Sequence, residues 1–249
     1  MTYPELKIAL DIGNPKTVLS NIGFRPAFAN PDLLYYGVCD DGDIHCFDAD
    51  GKEHKIKCIP SNCFNFEVSL EKIIIPSTVT DICHSSFSSC LNLKSVVVPD
   101  SMETIGNYAF YNCLKLNSIM IPNSITRIGN SAFNECRSLI NIAIPDSISR
   151  LGNCLFRYCY SLMDVAIGNN VTYIGDWAFY GCRSLMSITI PSSVIYIGCC
   201  AFKNCLSLKS IVFKGKTMEQ IKAMMNYPWG ITENYPFGIT DMSIIQAGL

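Results

Sequence analysis

The sequence is poor in the residue on which catalysis most often turns. Its 249 residues include three histidines, His45, His54 and His84. It contains no G-x-S-x-G elbow, no glycine-rich phosphate loop and no H-E-x-x-H pair, so the common nucleophile, phosphate and zinc-hydrolase signatures are missing. With carboxylates scattered over turns, these absences predict a protein that is not an enzyme and needs no cofactor. An excess of one charge is lacking too: 19 Lys and Arg stand against 21 Asp and Glu, a formal net charge of −2. That balance predicts no general binding to nucleic acid or to a membrane surface, since both need a clustered basic face. No apolar run reaches the 18 or so residues that would span a bilayer, so membrane insertion is not expected. Residues 1–14 carry neither a basic leader nor a clean apolar stretch, and no secretory signal is expected.

Cysteine is abundant, at fourteen, yet no two are spaced C-x-x-C. Structural zinc usually shows such short pairing, so no metal is expected. Cys39, Cys46, Cys58 and Cys63 near His45 and His54 keep a zinc site open as the alternative. Six other cysteines fall into an internal repeat. Phe87, Phe110, Phe133, Phe156, Phe179 and Phe202 recur every 23 residues, each followed three places later by Cys90, Cys113, Cys136, Cys159, Cys182 or Cys205. A leucine follows three further on, from Leu93 to Leu208, then an alternating aliphatic pair such as Ile119 and Ile121. Proline comes next at Pro76, Pro99, Pro122, Pro145 and Pro191, with Gly168 in its place once. A second aliphatic pair leads to Gly106, Gly129, Gly152, Gly175 and Gly198.

Each column has a physical reading. Alternation near the leucine predicts a short strand with one buried face. Proline after it ends the strand and sets the turn. The glycine column predicts a backbone conformation that a Cβ would strain. Cysteine behaves as a small buried hydrophobe and a weak donor, which predicts a ladder of free thiols bonded to carbonyls. Parallel stacked cysteines point the same way, which disfavours the disulfide torsion. One coil cannot bury its own apolar side but stacked coils can, so the period predicts a solenoid.

The pattern L-x-x-I-x-I-P-x-S-I-x-x-I-G-x-x-A-F-x-x-C, close over residues 76–213, resembles the BspA-type leucine-rich repeat. The resemblance implies an α/β repeat fold: a right-handed leucine-rich-repeat solenoid of 23-residue coils with parallel strands. It also implies a cell-surface or secreted protein that binds a host or microbial partner, whereas the thiol ladder fits a reducing compartment. The expected organisation is an N-terminal segment and β-meander cap over residues 1–59, the solenoid over 60–213 and a C-terminal cap over 214–249. The solenoid would comprise one degenerate coil, with Glu67 in the cysteine column, and six regular ones.

The ends read as caps, which a solenoid needs over its apolar cross-sections. Leu34–Cys39, Ile44–Phe47 and His54–Ile59 predict a three-stranded meander with turns at Asp41-Gly42 and Asp50-Gly51, while residues 1–32 predict irregular chain. Thr217 and Gln220 predict a capping box on a helix from Met218 to about Asn226. Tyr227–Thr232 recurs as Tyr235–Thr240, predicting two aromatic clamps that seal the rod.

Exposed columns are the candidate sites. One reads Thr104, Arg127, Arg150, Tyr173 and Tyr196, and arginine and tyrosine are residue types that carry interface energy. Beside the main strand Ile140, Met163 and Met186 form an apolar row between lysines. These seven residues, Arg127, Arg150, Tyr173, Tyr196, Ile140, Met163 and Met186, are the expected partner-binding set. The expected function is recognition or adhesion, through one face, of a protein or glycan partner. The alternative is a structural module that self-associates through its strand face.

Overall fold

The computed structural model describes residues 4–7, 25–26, 35–39, 42–48, 50–225 and 242–248. Each 23-residue unit makes one coil with three sides: a first strand, a second strand after the proline turn, and a broad turn holding the phenylalanine. The first strands are β5 (Lys72–Ile74), β7 (Ser95–Val97), β9 (Ser118–Ile119), β11 (Asn141–Ala143), β13 (Asp164–Ala166), β15 (Ser187–Ile190) and β17 (Ser210–Lys214). The second strands are β4 (Cys58–Ile59), β6 (Asp81–Ile82), β8 (Thr104–Ile105), β10 (Arg127–Ile128), β12 (Arg150–Leu151), β14 (Tyr173–Ile174) and β16 (Tyr196–Ile197). The hydrogen-bonded pairs within each set are parallel, and each residue lies opposite the one 23 places on, as Val96 opposite Ile119 and Tyr173 opposite Tyr196. The result is a parallel β-solenoid of seven coils, the fold the period predicts.

In-register stacking puts like residues in contact. Ile73, Val96, Ile119, Ile142, Val165, Ile188 and Ile211 form one buried column along the first strands. Phe64, Phe87, Phe110, Phe133, Phe156, Phe179 and Phe202 form another, with neighbouring ring centroids 5.3 to 5.8 Å apart and planes within 22°. Such pairs contribute about 0.5–1.5 kcal/mol each beyond the area they bury. Phe64 takes its place in the stack although Glu67 occupies the cysteine column, so the first coil is complete where packing matters.

The thiol ladder is present. Cys90, Cys113, Cys136, Cys159, Cys182 and Cys205 each donate from Sγ to the carbonyl of the phenylalanine in the preceding coil, at 3.1–3.2 Å. All the cysteines among the described residues are free thiols. Two further ladders run beside it. Asn107 Oδ1 accepts from the Asn130 amide, Asn130 from Asn153, Asn153 from Asp176 and Asp176 from Cys199, at 2.8–3.0 Å. Ser101, Ser124 and Ser193 donate to the carbonyls of Val79, Met102 and Val171 in the preceding coil.

The glycine column needs a different explanation from the one its sequence suggests. None of Gly106, Gly129, Gly152, Gly175 and Gly198 has a positive φ. Instead the coils approach too closely there for a side chain. A Cβ on Gly106 would lie 2.7 Å from the carbonyl of Cys83, and one on Gly175 would lie 2.6 Å from Asn153 Oδ1. Left-handed backbone falls on two other columns, carried mostly by residues with side chains. One contains Ser85, Tyr108, Ser131, Cys154, Trp177 and Cys200, the other Ser89, Asn112, Glu135, Tyr158 and Asn204. That conformation aims their amides along the stack: Tyr108 donates to the Asn130 carbonyl and Tyr158 to that of Tyr180, at 2.9 and 2.8 Å. Coil-to-coil hydrogen bonds therefore offset backbone strain of order 1–3 kcal/mol per residue.

At the N-terminal end, β2 (Tyr35–Val38) and β3 (Ile44–Phe47) form the expected hairpin. A further strand, β1 (Arg25–Pro26), pairs with β2 inside the segment expected to be irregular. The expected third meander strand is split: its start meets β3 in antiparallel fashion, through the Phe47–Glu53 bridge and the His54 amide on the Cys46 carbonyl at 2.8 Å, while Cys58–Ile59 pairs in parallel with Asp81–Ile82 and so belongs to the second-strand side of the solenoid. The hairpin docks through the Gly42 carbonyl, which accepts from Ile74 at 2.7 Å and covers the open edge of β5. At the other end, helix α1 (Met218–Met225) begins with the expected capping box: Thr217 N donates to Gln220 Oε1 and Gln220 N to Thr217 Oγ1. The aromatic repeat at 227–240 lies outside the described residues. Beyond it β18 (Ile245–Gly248) adds in parallel to β17, an additional strand that the sequence reading did not foresee.

Gly129→Ala forces a methyl into the backbone of Asn107, and overpacking of this kind costs about 1–3 kcal/mol, read as a lower urea midpoint. Burial, and then the neighbouring thiols, hold Cys113, Cys136, Cys159 and Cys182 well above the ordinary thiol pKa, and burial pushes Cys205 up to about 12. The folded state thus keeps protons that the unfolded chain releases near pH ~8.5. Stability should be level below that pH and fall as pH rises toward 12. Cys136→Ala with Cys159→Ala should flatten the slope between pH 8 and 11, measured by urea titration.

Candidate partner-binding faces

The second strands bring one expected column together. Thr104, Arg127, Arg150, Tyr173 and Tyr196 occupy the outward position of β8, β10, β12, β14 and β16. The Arg150 guanidinium lies 4.1 Å over the Tyr173 ring, and Tyr173 stacks on Tyr196 with centroids 4.5 Å apart and planes within 4°. Arg127 is exposed on the next strand. Burial, then Asp176 and Tyr173, push the Tyr196 hydroxyl up to about 12. The column can therefore present guanidinium edges and phenol hydroxyls, held by their own stacking.

The apolar row is also contiguous. Ile140 N bonds the Asn117 carbonyl and Met163 N that of Ile140, which sets these side chains one coil apart; Lys209 N bonds Met186 in the same way. Ile140, Met163 and Met186 are 45, 51 and 53% exposed. They flank the first-strand face, whose outward residues include Val97, Met120, Ala143 and Ala166, with Met120 82% exposed. On the same face a depression of about 280 Å³ is lined by Asp164, Ala166, Asn169, Ser187, Thr189 and Lys214 among others.

The broad turns carry a third face that the sequence reading did not single out. Arg137, Tyr160 and Arg183 are 23 residues apart, and the guanidinium groups of Arg137 and Arg183 lie 5.3 and 4.6 Å from the Tyr160 ring centroid. Arg157 lies 4.7 Å over Tyr158 and 5.4 Å over Tyr180, whose rings meet edge to face. The 23-residue column Arg137, Tyr160, Arg183 was visible as spacing. Its neighbour column, with Arg157 and Tyr180, comes beside it only when the turn closes.

His45 Nδ1 pairs with Glu53 Oε1 at 3.0 Å and His54 Nε2 with Asp48 Oδ2 at 2.7 Å. Among the described residues no three His, Cys, Asp or Glu side chains converge as a metal site, and no helix is long and apolar enough to cross a membrane.

Sequence comparison decides the family. Six copies of the BspA type leucine rich repeat region match over residues 57–185 and 150–228. The chain belongs to the BspA-type leucine-rich-repeat family. This BspA-type repeat chain is similar in structure to a leucine rich cell surface protein of Faecalibacterium prausnitzii A2-165, with 28% identity and a TM-score of 0.62. The match covers 76% of this chain and 55% of that protein, so the chain spans little more than half of its relative. A leucine-rich repeat protein of T. pallidum shares the fold at 21% identity and a TM-score of 0.51, over 81% of this chain and 97% of its own. No curated protein matches the sequence.

The stack on the second strands can be measured. A double-mutant cycle of Tyr173→Ala and Tyr196→Ala, followed by denaturation, should give a coupling of about 0.5–1.5 kcal/mol.

Proposed function

We propose that this BspA-type repeat chain is a recognition or adhesion scaffold that holds a protein or glycan partner along the outward column of its second strands. The supporting observation is the continuous Arg150–Tyr173–Tyr196 stack, with Arg127 beside it. Side chains already ordered by mutual stacking lose little freedom when a partner binds, so more of the contact energy appears as affinity. The cell-surface description of the Faecalibacterium prausnitzii relative is consistent with such a role. Ile140, Met163 and Met186 would add an apolar anchor on the neighbouring side.

A second reading is self-association through the first-strand face, favoured by the exposed Met120 and the apolar row. The cover of Gly42 and Asp43 over β5 and of β18 over β17 argues against edge-to-edge addition at those ends and leaves face-to-face contact.

Replacing Arg127, Arg150, Tyr173 and Tyr196 together should abolish retention of partners on the immobilised protein, with a circular-dichroism melt as the check on folding. Equal retention by the variant would reject this face. Light scattering across a hundredfold concentration range separates the second reading, since a strict monomer rules it out.

A further inference from the structure

The turn face has a charge that the rest of the chain does not. Across the turn segments of the last five coils, 107–115, 130–138, 153–161, 176–184 and 199–207, the cations are Lys115, Arg137, Arg157, Arg183 and Lys203, against the acids Glu135 and Asp176, whereas the first turn, 61–69, carries Glu67 and no cation. Both acids are engaged: Glu135 Oε2 accepts from Arg137 at 2.7 Å, and Asp176 Oδ1 accepts from the Cys199 amide at 2.8 Å. A chain with a formal charge of −2 thus concentrates unbalanced cations on one side.

The arginines are held by rings. Arg137 and Arg183 come from the coils on either side of Tyr160 and both approach its ring. Arg157 rests on Tyr158 and Tyr180 and donates to the Tyr158 hydroxyl at 3.3 Å, while its Nε is buried without a hydrogen-bond partner. Among the described residues Arg157 and Arg183 meet no carboxylate in a salt bridge. A guanidinium stacked on an aromatic face keeps its N–H edge available for a bidentate oxyanion and is pre-organised for it. Arg137 and Arg183 sit two coils apart, roughly 10 Å along the stack at about 4.8 Å per coil, with Arg157 in the coil between.

We propose that the turn face binds a linear sulfated glycan laid along the solenoid axis, with Arg157 and Arg183 as the sulfate-holding residues and Arg137, paired with Glu135, beside them. This rests on the recognition reading above and gives it a ligand class and a second face. A line of fixed guanidinium groups matches a polymer that carries its anions at intervals along one direction. Single-stranded nucleic acid needs free aromatic faces for its bases; Tyr160 is approached by guanidinium groups from both neighbouring coils, the exposed Tyr108 and Trp177 lie in other coils, and dT12 in the test below separates this ligand from the sulfated chain. Peptides draw on a free strand edge or on side-chain pockets. Here the turn amides are already spent on the next coil, as Trp177 to Cys199 and Tyr158 to Tyr180.

The test is calorimetric titration with a heparin dodecasaccharide, the same chain fully desulfated, a hyaluronan oligosaccharide of equal length, dT12 and a polyglutamate peptide. The sulfated chain should bind, weaken steeply between 50 and 300 mM salt, and outbind each of the others by at least tenfold. Arg157→Gln with Arg183→Gln should lower its affinity tenfold or more. The Arg157→Lys with Arg183→Lys pair keeps the charge without the fork and should fall between that variant and the native protein. If the glutamine pair does not fold, the lysine pair decides. Replacement of Arg127, Arg150, Tyr173 and Tyr196 is read separately, by partner retention. Equal binding of desulfated chain, hyaluronan, dT12 or polyglutamate overturns the proposal, as does an unchanged affinity in the turn-face variants. If the sulfated chain fails to bind while the four-residue variant still loses partner retention, the turn-face proposal falls and the second-strand reading stands.

Discussion

Register is the constraint on which this molecule depends. Every residue meets its own equivalents 23 places before and after, so a side chain must suit a neighbour of its own kind. Phenylalanine satisfies this by parallel offset stacking, and the seven rings from Phe64 to Phe202 run as one column. Cysteine satisfies it by bonding not to another cysteine but to the phenylalanine carbonyl of the preceding coil. Asparagine satisfies it by accepting from the following backbone amide. The thiol ladder closes buried carbonyls that a three-sided coil could not close within itself, and the asparagine ladder ties successive coils at the more exposed edge.

The same rule shapes the surface. A column tolerates like charges poorly, because successive coils are only about 4.8 Å apart. Arginine is accommodated where a ring separates it from the next cation, as Tyr160 does between Arg137 and Arg183, or carries it, as Tyr173 carries Arg150, whose other neighbour in the column is the exposed Arg127. The aromatic and cationic residues therefore serve the stack and the solvent-facing side at once. They give the chain two ordered polar faces, on its second strands and its turns, beside a first-strand face that is smaller and more apolar.

The columns were legible in the sequence because a repeat makes neighbours in space of residues at a fixed distance in sequence. The buried phenylalanines, the free thiol ladder, the Thr217–Gln220 cap and the alignment of Arg150 with Tyr173 and Tyr196 all follow from that arithmetic. The glycine column was visible but its cause was not. Close approach and left-handed backbone leave the same residue in a sequence, and here the first applies to Gly106 and Gly129 while Tyr108 and Ser131 take the second. Arg157 and Tyr180 share a column, but Tyr158 comes from the next one, and how the turn closes decides that its ring meets both.

What the sequence determined by itself is the period, the inward set and the family, since each depends only on a spacing of 23 and on which positions are apolar. Tertiary structure alone decided how the ends are closed and which columns become adjacent. The Gly42 carbonyl finding Ile74, Cys58–Ile59 leaving the meander for the solenoid, and Ile245–Gly248 returning to pair with β17 are contacts outside the repeat. A strand edge accepts any segment that can offer its backbone groups, so the chain's own shape, rather than a residue pattern, selects which one arrives.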